Sequence, residues 1–319
     1  MERIDLSFSA HFTLVSVADG VYAALATPGG GALGNAAIVD LGDRTLVFDT
    51  MATLHAARDL RQAAERLTGR SPTLVVNSHW HGDHVYGNQV FLPEAVIAAT
   101  ATTRAIMDER VAVAIPREFV RVQAQIPDLR CQLAQVTDDA QRHRLNDDLA
   151  FARLRATSLP EQRACLPTAT FEDRVVFHGS GRKAELLTYG GGHTRSDAFL
   201  YLPDEGLALM GDLLFVHVHP LFIWGDPRQW RRIIERVKTL GLRIVVPGHG
   251  PVGTVDDLDA LAGYLSAIKG LALSVVESGG TLDQALRRSM PAPFDSWDTP
   301  DVFEANMTFL LAETVKKDR

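Results

Sequence analysis

Three histidines and an aspartate crowd into six positions, His79-Trp80-His81-Gly82-Asp83-His84. On an extended loop the alternating imidazoles of His79 and His81 fall on one side, so both can meet one cation, while Asp83 and His84 turn toward a neighbouring position. Neutral imidazole and carboxylate are donors for divalent transition metals, and this grouping suits two adjacent ions, each short of a full shell. More donors are therefore expected downstream, where loops follow apolar strands. Three residues qualify: His193 in Gly-Gly-Gly-His-Thr, Asp212 in Met-Gly-Asp, and His249 in Pro-Gly-His-Gly. Taken singly each reads as a surface histidine or a turn aspartate; after a complete His-x-His-x-Asp-His the set reads as a metal site.

The elements that must position these residues follow from periodicity. Residues 12–17, 21–26, 36–41 and 44–48 read as short strands with turn residues between them, and residues 53–67 carry apolar side chains at the three- and four-residue steps of one helix face. A short apolar strand, 73–77, then runs straight into the histidine-rich loop. Strands resume at 174–178, 184–189, 197–202 and 206–210, followed by a helix over 227–240 and a strand at 243–246. Strands, helix, strand and a polar loop thus occur twice, an α/β layout with function expected at strand ends. Residues 102–165 contain a glycine-free helical stretch that reads as an insertion, and 254–319 is a C-terminal helical part of the same domain, taken as 1–319.

The set His79, His81, Asp83, His84, His193, Asp212 and His249 resembles the seven-ligand pattern of the metallo-β-lactamase-fold superfamily. The resemblance covers most of residues 10–255 and implies an αββα sandwich, two mixed β-sheets flanked by helices, with the helical segment inserted. It implies that His79, His81 and His193 hold one metal, that Asp83, His84 and His249 hold the other, and that Asp212 bridges them. Two features depart from compact members. The long separation of His84 from His193 leaves 102–165 as an extra element over the site or at a homodimer contact. An aspartate where many true β-lactamases have Cys or Ser resembles the hydrolase branches acting on thioesters, lactones or phosphodiesters; the substrate expected here is small, with an ester, thioester or lactone bond.

Two Zn2+ ions are the expected cofactors, with iron or manganese as alternatives. Two ions roughly 3.5–4 Å apart sharing one water bring its pKa toward about 7, and the resulting hydroxide attacks a carbonyl polarised by the same metals. Asp83, Asp212 and His219 are the candidate catalytic residues. Asp83 has an oxygen to spare for orienting the nucleophile or passing a proton, and His219, before Pro220, is expected to touch substrate from the rim of a cleft. Trp80 and Tyr86 flank ligands and would line its entrance. Asp49, closing a strand, reads either as an acceptor for a ligand imidazole or as a plain turn aspartate; Ser78 and Asn77 are weaker candidates for that role. Rival readings keep the fold: a single iron on His79, His81 and His193 oxidising a sulfur substrate, or β-lactamase or phosphodiesterase activity. A purely structural metal site is disfavoured because such sites favour four fixed ligands rich in thiolate.

Composition bounds the partners. With 46% hydrophobic and 22% charged residues the chain is globular rather than disordered. A net charge of −7 disfavours nucleic acid unless a local basic patch overcomes it, and the best candidate, Arg228, Arg231, Arg232 and Arg236, has the spacing of a solvated helix side. A small-molecule substrate is expected instead. Cys131 and Cys165 lack any CxxC partner and read as ordinary thiols. Glu2, Arg3 and Asp5 precede any apolar run, unlike a secretory signal, and no run of 18 apolar residues occurs, so the expectation is a cytoplasmic protein without a membrane span.

Overall fold

The computed structural model describes residues 9–317; Glu2, Arg3 and Asp5, on which the expectation of no leader rests, lie outside them. Two sheets form. The first has seven strands in chain order: β1 (Phe12–Ala18), β2 (Val21–Ala26), β3 (Ala36–Asp40), β4 (Thr45–Phe48), β5 (Leu74–Val76), β6 (Val96–Thr100) and β7 (Ala169–Phe171). Pairing is antiparallel from β1 to β4 and parallel from β4 to β7. The second has five: β8 (Arg174–His178), β9 (Lys183–Thr188), β10 (Ala198–Leu202), β11 (Leu207–Phe215) and β12 (Ile244–His249), with only the β11–β12 pair parallel.

Side-chain alternation makes the sandwich. In β3, Ala37 and Val39 enter the apolar layer between the sheets while Ala36 and Ile38 face outward; in β4, Leu46 and Phe48 point in and Val47 out. The second sheet mirrors this, with Leu200, Leu202, Leu207 and Leu209 inward and Phe199, Ala208 and Met210 outward. Each outward face requires a cover. Helix α1 (Leu54–Thr68) lays Ala56, Ala57, Leu60, Ala63 and Ala64 on the first sheet. Its start is capped by the Thr53 side chain accepting from the Ala56 N–H, and its end by Gly69 at φ +71°. One turn, α2 (Gly82–Val85), follows β5 and carries Asp83 and His84.

The expected insertion is a helical pair, α3 (Ala101–Gln135) and α4 (Asp139–Ser158). Met107, Val111 and Ile115 of α3 and Leu145 and Leu149 of α4 share an apolar cluster with Val85 and Tyr86, so the insertion is seated on the turn that carries Asp83 and His84. The second sheet is covered by α5 (Pro227–Lys238), α6 (Val255–Glu277), α7 (Leu282–Leu286) and α8 (Val302–Lys317). By length and composition α6 alone among the described helices is apolar enough to cross a membrane, yet Leu258, Leu261, Tyr264, Leu265 and Ile268 are buried in the cluster beneath it.

Two strands, β6 and β7, have no counterpart in the sequence reading. Ile97, Ala98 and Ala99 of β6 are buried on both faces, so no polar alternation marks them. The strand that carries Asp212 also extends further than expected. Instead of ending there, β11 continues to Phe215, and its register against β12 slips on both sides of Gly211, a bulge that re-aims the aspartate.

Asn35, in the β2–β3 connection, ties the two sheets at the site end. Its amide donates to the carbonyls of Pro247 (3.0 Å) and Gly250 (2.9 Å), its carbonyl accepts from the Ala26 N–H, and its own N–H donates to the Gly248 carbonyl (2.7 Å). Replacing it by alanine leaves the buried Pro247 carbonyl and the part-buried Gly250 carbonyl and Ala26 N–H without these partners. Asn35→Ala is expected to cost about 1–3 kcal/mol in urea denaturation; an unchanged midpoint would show that these bonds do not hold the β12 loop.

Candidate metal centre

Seven side chains from five places in the chain meet at one edge of the sandwich. His79 and His81 come from the loop after β5, Asp83 and His84 from α2, His193 from the β9–β10 loop, Asp212 from the β11 bulge, and His249 from the end of β12. They form two groups, His79, His81, His193 and Asp212, and Asp83, His84 and His249; within each, one donor atom per residue lies within 4.8 Å of all the others. Asp212 reaches both. Its Oδ2 is 3.1 Å from His193 Nε2 and 3.6 Å from His79 Nε2, while its Oδ1 is 3.1 Å from His84 Nε2 and 3.5 Å from His249 Nε2. Asp83 Oδ2 lies 3.4 Å from His84 Nε2 and 3.3 Å from His249 Nε2. His81 turns Nδ1 toward His193 Nε2 at 2.9 Å.

Backbone constraints allow this convergence. A methyl group at position 248 would sit 1.9 Å from Asp212 Oδ1, so only glycine lets β12 pass the carboxylate. Gly211 holds φ +52° beside Ser78, a conformation that side-chain-bearing residues rarely adopt.

The imidazoles are oriented from behind. Buried Asp49 accepts from the Ser78 N–H (2.7 Å), the Ser78 hydroxyl (2.7 Å) and His84 Nδ1 (2.8 Å). Because the Ser78 hydroxyl spends its proton on Asp49, it accepts from His79 Nδ1 at 2.9 Å. One carboxylate thereby places the Nδ1 proton on both rings and leaves Nε2 of each facing the cluster. Of the two readings of Asp49, the imidazole acceptor is the one the geometry favours. Asn77 instead bonds Asn88 and the His84 carbonyl, holding the α2 backbone. Asp197, which the sequence reading passed over, accepts from the Gly192 and Thr194 N–H groups and the Thr194 hydroxyl, fixing the loop that carries His193. Its only signal is its place three residues after Thr194.

Burial lowers His79 well below the ordinary imidazole range and brings His81 down to about 3, so both rings are neutral and offer lone pairs. Burial would depress His84 and His249 too, but the carboxylates, Asp212 foremost, outweigh it. His84 stands well above its usual value and His249 is raised to about 9. Burial would likewise raise Asp83 and Asp212, and the facing imidazoles, led by His84, pull both well down. Negative charge is thus fixed in a buried site. Nε2 of His79 and Nε2 of His81 are also buried without a hydrogen-bond partner among the described residues, an arrangement costing about 1–3 kcal/mol per unmet group. A pair of divalent cations fits this donor set: imidazole nitrogens, one carboxylate oxygen and a shared carboxylate.

His219 is not brought to this site. The left-handed turn at His217 (φ +57°) and the bridge from Val218 to Asp298 carry the chain inward, and His219 is only 4% exposed, with Nδ1 3.0 Å from the Tyr264 hydroxyl and its ring against Trp297. The rim is instead formed by Trp80 and Trp224, whose rings lie 4.5 and 4.7 Å from that of His81. Tyr86 is buried, and its hydroxyl donates to Glu118 of α3, which also pairs with Arg155 of α4. Cys131 and Cys165 are free thiols, and Arg228, Arg231, Arg232 and Arg236 lie on the exposed side of α5.

A family model described as the metallo-beta-lactamase superfamily matches residues 29–249. No curated protein matches the chain. Among solved structures, a metallo-beta-lactamase from Pontibacter korlensis shares the fold at TM-score 0.59 and 17% identity, over 80% of this chain and 99% of that one. The DIM-1 metallo-beta-lactamase superposes at TM-score 0.55 and 16% identity, over 80% of this chain and 97% of its own. TMB-1 does so at 0.57 and 14%, over 80% and 97%.

If Asp49 orients the rings as its bonds indicate, Asp49→Ala should weaken metal binding about 10–100-fold in chelator competition while the chain stays folded. Unaltered affinity would reduce Asp49 to a turn residue.

Proposed function

Because the chain belongs to the metallo-β-lactamase superfamily and joins two donor groups through one aspartate, we propose that it is a binuclear zinc-dependent hydrolase of small esters, thioesters or lactones. The broader assignment, a metal-dependent hydrolase, follows from the family together with the His/Asp clusters. One observation carries the finer reading: Asp212 directs different oxygens to different clusters.

His79, His81 and His193 would hold one ion, Asp83, His84 and His249 the second, and Asp212 both. Two divalent ions, when bound, supply Lewis-acid polarisation of a carbonyl and ionisation of water near neutral pH. The protein's own groups do the rest. Asp49 and Ser78 keep the His84 and His79 lone pairs on target throughout turnover. Asp83 engages His84 and His249 through Oδ2, and its Oδ1 makes no hydrogen bond among the described residues, which leaves that atom to accept a hydrogen bond from the attacking water and orient it. Trp80 and Trp224 set an apolar wall beside His81 that favours the acyl or aryl portion of a substrate and thins out water there.

Metal analysis of protein purified without chelator should find close to two zinc per chain, and a panel of esters, thioesters and lactones should be turned over. Asp212→Ala should lose metal from both groups and fall to background activity while remaining folded. One iron per chain with oxygen uptake on a sulfur substrate would replace hydrolysis by oxidation; full activity in Asp212→Ala would remove the bridge.

A further inference from the structure

Beside the site, helix α3 and two indoles that pack on the His81 ring line a cavity of about 660 Å³. One wall is Trp80 and Trp224, 5.9 Å apart edge to face and both packed on the His81 ring. The opposite wall is α3, where Arg110, Arg117 and Arg121 recur at the steps that keep residues on one helix side. Arg110 lies over the Trp80 ring at 5.5 Å. Arg117 and Arg121 are exposed and make no ion pair among the described residues. Two carboxylates also line the space. Glu118 is engaged by Arg155 and by the Tyr86 hydroxyl, which leaves Glu109 as the other carboxylate lining this cavity beside Arg110, Arg117 and Arg121.

We propose that this cavity seats an oxyanionic group of the substrate, a carboxylate, phosphate or sulfate, on Arg117 and Arg121, while the substrate's apolar part lies against the wall formed by Trp80 and Trp224 and its scissile carbonyl reaches the metal centre. Calling the occupant a substrate rests on the hydrolase reading; the selectivity for anions rests on the cavity alone. A volume of this size suits a small organic ligand. Guanidinium groups bind carboxylate, phosphate and sulfate through paired N–H donors, and a chain whose net charge is −7 gains local attraction for an anion only where positive charge is gathered in this way. Specificity would then lie in the insertion, and the chemistry in the sandwich.

The test is equilibrium binding of 4-nitrobenzenesulfonate and of neutral 4-nitrobenzamide to the metal-loaded full chain, read by quenching of tryptophan fluorescence. The sulfonate should bind on the order of tenfold more tightly, with a preference that shrinks as salt is raised. Arg117→Ala/Arg121→Ala should erase the preference with metal content unchanged, and Arg117→Lys/Arg121→Lys should retain part of it. Equal binding of the two probes, or a preference that survives the double alanine variant because the metals themselves take the anion, would overturn the proposal. Binding is read without turnover, so a protein inert on every ester would sink the hydrolase reading and leave this result decisive for the cavity.

Discussion

The carboxylate of Asp212 is buried between two groups of imidazoles, with one oxygen toward each, and much of the surrounding structure serves to keep it there. A buried carboxylate is expensive unless positive charge or hydrogen bonds meet it. Here the compensation comes from rings delivered by distant segments. The bulge at Gly211 aims the side chain, Gly248 leaves room beside it, and Asn35 fixes the β12 loop from the opposite sheet. Removing any of these would alter the position of a charge that has no alternative solvation.

The same economy governs the imidazoles. His79 and His84 are fully buried, and each would be free to choose a tautomer were it not for Asp49, which reaches one ring directly and the other through the Ser78 hydroxyl. Asp197 acts comparably on the His193 loop, through backbone N–H groups rather than through the ring. The sandwich supplies rigidity because both sheets end at this edge, and short loops at strand ends have little slack. The α3–α4 pair is different in kind. It adds no residue to either cluster and packs on Val85 and Tyr86, which gives it a hold on the turn that carries Asp83 and His84.

The seven converging residues were legible in the sequence because metal donors beside glycine at strand ends leave a pattern independent of exact geometry. The strands were legible where one face differs from the other. They were not legible at β6, buried on both sides, or at β7, a three-residue strand none of whose side chains is fully buried. The extension of β11 past Asp212 was hidden for a related reason: all nine of its residues are buried, so nothing marks where a strand gives way to a loop. His219 misled because a histidine before proline looks exposed in one dimension, whereas the left-handed turn at His217 that buries it depends on tertiary contacts with Asp298. Asp197 and Asn35 were hard to see since their partners are mostly backbone groups, which no side-chain pattern reports. Trp224 and its spatial neighbour Trp80 lie far apart in sequence, so no local pattern joins them.

The most direct measurement is anomalous diffraction at the zinc edge from crystals of the metal-loaded chain. The account predicts two peaks about 3.5–4 Å apart, one beside each Asp212 oxygen. A single peak, or two peaks neither of which touches Asp212, would contradict it.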